Sequence, residues 1–435
     1  MNYCSSKYKH QSYSSGSRAG TDCTCAAGSG RIPHRSYARN LASLMAPPIL
    51  VGALACGGGG AGPKPDAGAP PKGPIRFLPG AFQRTGRLLQ GRQGLAAIAL
   101  SADRILVMGG CAKPGGAGLN SAELYSPSTG RSEPTYAMNE GRTGHAVSHL
   151  SPNQALVTGG TCGTCEVYDL DSGLFTPTGS MACRRSSHTS IHLTSPPGVL
   201  IVGGVTAEMN PTPLIELFDP STGSFTAAGN LALAPGHSAT LLPNGKILLV
   251  SHSTASDGWR PFAAIYDPAS KTVRATHGQP GTPREGHQAL LLVHPPKVII
   301  LGGNDDSGPL ASAEWYDPLT EQFQLCPSPM LTPRTDFGAA ILEHDQVLLL
   351  GGTADGRTAC ASAERFDSAT QSFATTGALN RPRRHPYVLR LDSGKVLVLG
   401  GSNETQGCLM EIEVYSIPKP SPIPEPPQPP WRPLP

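Results

Sequence analysis

Six arginines recur along the chain at nearly even spacing, each a few residues ahead of an apolar run. They are Arg92, Arg142, Arg185, Arg284, Arg334 and one of the pair Arg383-Arg384, with Arg384 assigned as the sixth. A guanidinium fork grips carboxylates bidentately, so a ring of such arginines would suit an anionic ligand. A second series runs beside them: Glu123, Glu166, Glu216, Glu314, Glu364 and Glu413. These glutamates offer the arginines structural partners instead. Between Arg185 and Arg284 the pattern breaks, with Ala234 for arginine, Ala264 for glutamate and Ser251-His252 for a glycine pair. Joint loss marks the three as one device, in which arginine crosses a strand where glycine leaves room and reaches glutamate on the next. Structural pairing is therefore the preferred reading, and ligand binding by the arginines its competitor.

The remaining reactive residues point less sharply. His145, His188, His237, His287 and His385 recur once per repeat, and repetition argues for packing, since a catalytic centre is asymmetric. Eleven cysteines include one C-x-x-C, Cys162-Gly-Thr-Cys165, without the second pair or histidine spacing of a zinc site. Cys111 and Cys162 share a place after successive glycine pairs, on one face with Cys183. Cys360 and Cys408 occupy corresponding turns. In an exported protein these thiols are expected to form disulfides. The acidic turns Asp257-Gly, Asn304-Asp305-Asp306 and Asp355-Gly are ordinary turn chemistry. No metal, cofactor or catalytic residue is assigned.

These residues sit on a strict framework. A branched apolar run ends in Gly-Gly at Gly109-Gly110, Gly159-Gly160, Gly203-Gly204, Gly302-Gly303, Gly351-Gly352 and Gly400-Gly401, with Ser251-His252 as the degenerate member. Successive spacings lie between 44 and 51 residues, the period of a propeller blade. Each pair is followed by an aromatic strand, such as CEVYDL at Cys165–Leu170 or AEWYDP at Ala313–Pro318. Then comes an outer strand, such as FTPTGSM from Phe175. Gly-Gly, then Glu-x-Tyr-Asp, then Phe-x-x-Thr-Gly resembles the kelch repeat, over about 75–417. The resemblance implies an all-β, seven-bladed kelch-type β-propeller with four-stranded blades. No outer strand follows Ile417, whereas Phe82–Leu88 fits that template ahead of the first repeat. The N-terminal strand is thus expected to close the last blade.

The ends are different material. Residues 1–40 read as a disordered or mis-assigned extension. Residues 41–56 read as a signal peptide ending in Ala-Leu-Ala-Cys, residues 57–74 as a Gly/Pro/Ala linker, and residues 418–435 as a proline-rich tail. The arrangement resembles a bacterial lipoprotein signal with Cys56 as the lipidated residue. It implies export to the cell envelope, or secretion, as a monomer whose membrane contact is a lipid anchor. A net charge of +3 gives no ground for nucleic acid. The chain is read as a recognition module for a protein, peptide or glycan. The alternative is a carbohydrate-active enzyme on a sugar or sialic-acid-like substrate. Copper-radical oxidases also use a kelch-like frame, but the resemblance would require a cysteine-linked tyrosine, a histidine pair and a further C-terminal domain. That reading ranks last.

Overall fold

A computed structural model describes residues 79–418 except 161 and 256–257. The extension, the export signal with Cys56, the linker, Asp257 and the tail beyond 418 lie outside the described residues. Seven four-stranded antiparallel sheets follow one another. The first takes Gln93–Ser101, Arg104–Cys111, Ala122–Ser126 and Arg131–Pro134 from inside to outside. Five more repeat that order. The seventh breaks it, taking Tyr387–Arg390, Val396–Leu399, Glu411–Ser416 and, from the other end of the chain, Ala81–Arg87.

The second strand of each blade has a continuous apolar centre because both of its faces are covered. In Gln346–Leu350, Val347 and Leu349 join a cluster with Ile299 and Leu301 of the fifth blade. Leu348 and Leu350 point the other way, into a cluster with Val396 and Val398 of the seventh. The core is thus divided among the blade interfaces.

Closure uses the same chemistry as the other blades. Phe82 pairs with Tyr415, their rings 4.9 Å apart. Tyr168–Phe175 and Tyr316–Phe323 stand in the same relation at 4.7 and 4.9 Å. A strand edge that would template association is thereby paired.

Each glycine pair is a latch to the next blade. Gly159 and Gly160 have φ of 62° and 97°, in the region that favours glycine. A Cβ on Gly159 would stand 2.5 Å from the Arg185 carbonyl and 2.7 Å from the His188 ring, both of the following blade. The Gly160 N–H donates to the Arg185 carbonyl at 3.0 Å. At the seam, Gly401 N–H donates to the Arg92 carbonyl at 2.9 Å, joining the seventh blade to the first.

Candidate functional site

Each opening arginine precedes the innermost strand and reaches outward through its own blade. Arg142 Nη2 lies 2.6 Å from Glu166 Oε1, and Arg142 Nη1 donates to the Gly159 carbonyl at 2.9 Å. The geometry repeats in Arg92–Glu123 (3.2 Å), Arg185–Glu216 (2.6 Å), Arg284–Glu314 (2.6 Å), Arg334–Glu364 (3.0 Å) and Arg383–Glu413 (2.6 Å). All six arginines are buried, and burial pulls Arg92, Arg185, Arg284 and Arg383 below the usual guanidinium pKa against the pull of their glutamates. The structure therefore brings together the two residue series and turns the arginines away from the channel.

Two details differ from the sequence reading. The glycine does not merely leave room: its left-handed turn aims a carbonyl at the arginine, as in Arg185 Nη1–Gly203 O at 3.0 Å. The glutamate also has a second task, invisible in the motif. Its other oxygen accepts the N–H of the residue three before the arginine. Examples are Asn139 N–Glu166 Oε2 at 2.8 Å and Leu331 N–Glu364 Oε2 at 2.7 Å. The device thus ties the incoming connection, the second strand and the third strand to one ion pair. Buried ion pairs gain only when fully hydrogen-bonded, and this one nearly is.

Arg384 is a correction. The register Tyr387–Leu399 matches Gln288–Leu301 and Gly338–Leu350, which makes Arg383 the equivalent of Arg284 and Arg334. Arg384 instead points Nη2 at Asp336 Oδ2, 2.7 Å away. His385 falls one place early, where four other blades have glycine and the third and sixth have Ser187 and Asp336, and takes φ of 48°. Its Nε2 lies 3.4 Å from the same Asp336 oxygen. The other recurring histidines are packed singly. His188 Nε2 shares a hydrogen bond with Thr158 at 2.8 Å, and His287 Nε2 one with Ser238 at 2.7 Å. Burial drives His145 down to about 3 and His237 to about 4, so both are neutral.

Around the channel mouth, the residues just after the opening arginine form a mixed cluster over the last three blades. Asp336 lies under Arg384 and His385, and Glu285 faces it from the fifth blade. Burial, reinforced by the charge on Asp336, pushes the Glu285 carboxyl up to about 7. A carboxyl titrating near neutrality can hold or accept a proton, which is a property of functional sites. Farther along the channel, an opening is lined by Ser190, His192, Thr240, Leu241 and Leu291.

The fourth blade lacks the ion pair, and its strands run on. Ile247–Ala255 and Gly258–Asp267 pair through Ala255–Gly258, past the point where the other blades turn at glycine. With no arginine to meet, the backbone at Ser251-His252 stays extended. The hairpin carries a stacked pair, His252 and Trp259, with ring centroids 3.9 Å apart and 10° between planes. Trp259 is half-buried. The cysteines Cys111, Cys162, Cys165, Cys183, Cys326, Cys360 and Cys408 are all present as thiols, so the expected disulfides are not formed in this structure.

A family model for the Kelch motif matches residues 286–330, within the fifth blade and its exit. No curated protein matches the chain. Among solved structures it is similar to one described as a novel fungal alcohol oxidase with catalytic diversity among the AA5 family, in complex with copper. Identity is 17%, the TM-score is 0.64, and 79% of this chain and 76% of that chain are covered. At that identity the likeness is one of fold. Seven four-stranded blades cut from one repeated unit, one of them matched by the Kelch model, make this chain a kelch-repeat β-propeller.

Proposed function

We propose that the chain is an exported recognition module that binds a protein, peptide or glycan through the turn-rich face of its propeller. One observation carries this reading: all six opening arginines are consumed inside their blades. What the face offers a ligand is then its turns, among them the fourth-blade hairpin with Trp259, whose two strands stay paired from Ile247–Tyr266 to Ala255–Gly258. An aromatic that is half-buried beside a histidine is a ready contact for a sugar ring or an apolar side chain. The full chain, screened on glycan and peptide arrays, should give saturable binding that Trp259→Ala weakens about tenfold, about 1.4 kcal/mol. Binding unchanged by Trp259→Ala would remove the hairpin from the reading. Export with lipid on Cys56 belongs to the same proposal. Mass spectrometry of the mature chain tests it, since an intact Met1 would reject export.

A second reading, a carbohydrate-active enzyme, has its own support in Glu285 beside Asp336 and Arg384. A carboxyl held near neutral pKa beside a second carboxyl is the arrangement that acid–base catalysis uses. Hydrolysis of aryl glycosides or sialosides that disappears in a folded Glu285→Gln variant would establish it. No turnover in the parent chain would end it. Among the described residues no three histidine, cysteine, aspartate or glutamate side chains gather as a metal site.

A further inference from the structure

We propose that Cys111 and Cys408 form a disulfide that locks the seam between the first and seventh blades. Both flank the same short stretch of chain, Gly91–Gln93, from opposite blades. Cys111 ends the second strand of the first blade, is paired in register with Gln93, and places its Sγ 3.6 Å from the Gln93 carbonyl. Cys408 sits in a small seventh-blade hairpin, Ser402–Asn403 with Gly407–Cys408. Its carbonyl packs directly on Gly91, where a Cβ would collide with it. The next residue's carbonyl, Leu409 O, accepts the Arg92 N–H at 3.3 Å. Both cysteines thus lie against the Gly91–Gln93 backbone, one from each blade.

The pair is chemically asymmetric. Cys111 is held down to about 6, first by the Cys408 thiol and also by the Gly116 and Gly115 amides and the Thr143 hydroxyl. Cys408 is pushed up, chiefly by that same contact and by burial. Cys408, the more exposed sulfur, attacks the small-molecule disulfide as its thiolate and releases one thiol, and the Cys111 thiolate then attacks the Cys408 sulfur of the mixed disulfide and releases the second. Cys408 is the half-buried partner that a small molecule reaches; Cys111 is buried. The oxidant is a small-molecule disulfide of the glutathione type. Its S–S bond breaks and one forms between the two protein sulfurs. The protein thiols give up two electrons and two protons, and the oxidant leaves as two thiols.

This inference is independent of what the face binds and of where the protein resides. The full chain is equilibrated with glutathione disulfide, the remaining thiols are alkylated, and peptides are mapped without reduction. The expected result is a peptide linking Cys111 to Cys408, and a Tm above that of the reduced protein by roughly 5 °C. Cys408→Ser should abolish both, whereas Cys162→Ser should leave both intact. Cys111→Ser tests the same bond from the buried side. Alkylation of both residues after oxidation, or linkage of Cys111 to Cys162, would overturn the pairing. An equal Tm in both redox states would overturn its role as a lock.

Discussion

The Glu166 carboxylate stands between Arg142 and the backbone of the segment that delivers it: Oε1 lies 2.6 Å from Arg142 Nη2, and Oε2 accepts the Asn139 N–H at 2.8 Å. One side chain therefore fixes both the charge and the path of the connection from the preceding blade. Removing Glu166 strands a buried guanidinium as well as an amide. Glu166→Ala with Arg142 intact should destabilise the protein by about 3–5 kcal/mol, read by denaturant unfolding. A double-mutant cycle with Arg142 measures the coupling, which near zero would mean that the two residues act separately.

The paired edge at Phe82 and Tyr415 gives a second expectation. A chain lacking residues 79–87 bares the Glu411–Ser416 strand, which should associate edge to edge and elute from size exclusion as oligomers or aggregate. Phe82→Ala in the intact chain keeps the strand and loses the ring contact, costing about 3 kcal/mol. A monomeric, fully stable deletion would show that closure does not need this strand.

Two glycines with similar backbone angles separate space from conformation. Gly159 at φ 62° is hemmed by Arg185 and His188, while Gly356 at φ 73° has open space around its Cα. Gly356→Ala should cost about 1 kcal/mol, the conformational term alone. Gly159→Ala adds the clash, about 1–3 kcal/mol more. Equal losses in thermal unfolding would contradict the latch.

Acid should loosen the ring. An unfolded imidazole takes up its proton near 6.5, but folded His145 does so near 3 and folded His237 and His252 near 4. Between those values the unfolded chain binds more protons, so stability is full above about pH 7 and declines as pH falls. Glu285 acts in the opposite sense: its folded value near 7 gives stability that is complete below about 4.5 and lost as pH rises through 7. The histidines outnumber it, so the Tm by calorimetry should be lower at pH 4.5 than at pH 7. His145→Phe should flatten that decline, because Phe337 and Leu95 fill the equivalent place in the sixth and first blades. A steeper decline in that variant would reject the assignment.

Much of this was legible in the residues themselves. Glycine pairs, Glu-x-Tyr-Asp and the stray Phe82–Leu88 template are local signals, and they specify blade number and closure because each strand needs the same side chain at the same place. The Arg–Glu relation was visible because one repeat loses it whole. What the motif hid depends on register or on neighbours far apart in sequence. His385 imitates the histidine of the repeat but stands one place early, so the Arg-x-x-His spacing fails in this blade and does not distinguish Arg383 from Arg384. The second oxygen of each glutamate binds backbone, which carries no residue signature. Glu285 meets Asp336, and Cys111 meets Cys408, only once adjacent blades are side by side.

The clasp between Ala81–Arg87 and Glu411–Ser416 also has a mechanical meaning. Ala81 is paired with Ser416, so the described chain enters and leaves the ring at one end of a single strand pair. A force that draws the two ends apart loads that ladder one rung at a time, as a zipper is loaded, rather than shearing all its hydrogen bonds together. The ring would open at the seventh blade first, with the other six still folded, and a crosslink from the seventh blade to the first would carry the load after the zipper has given way.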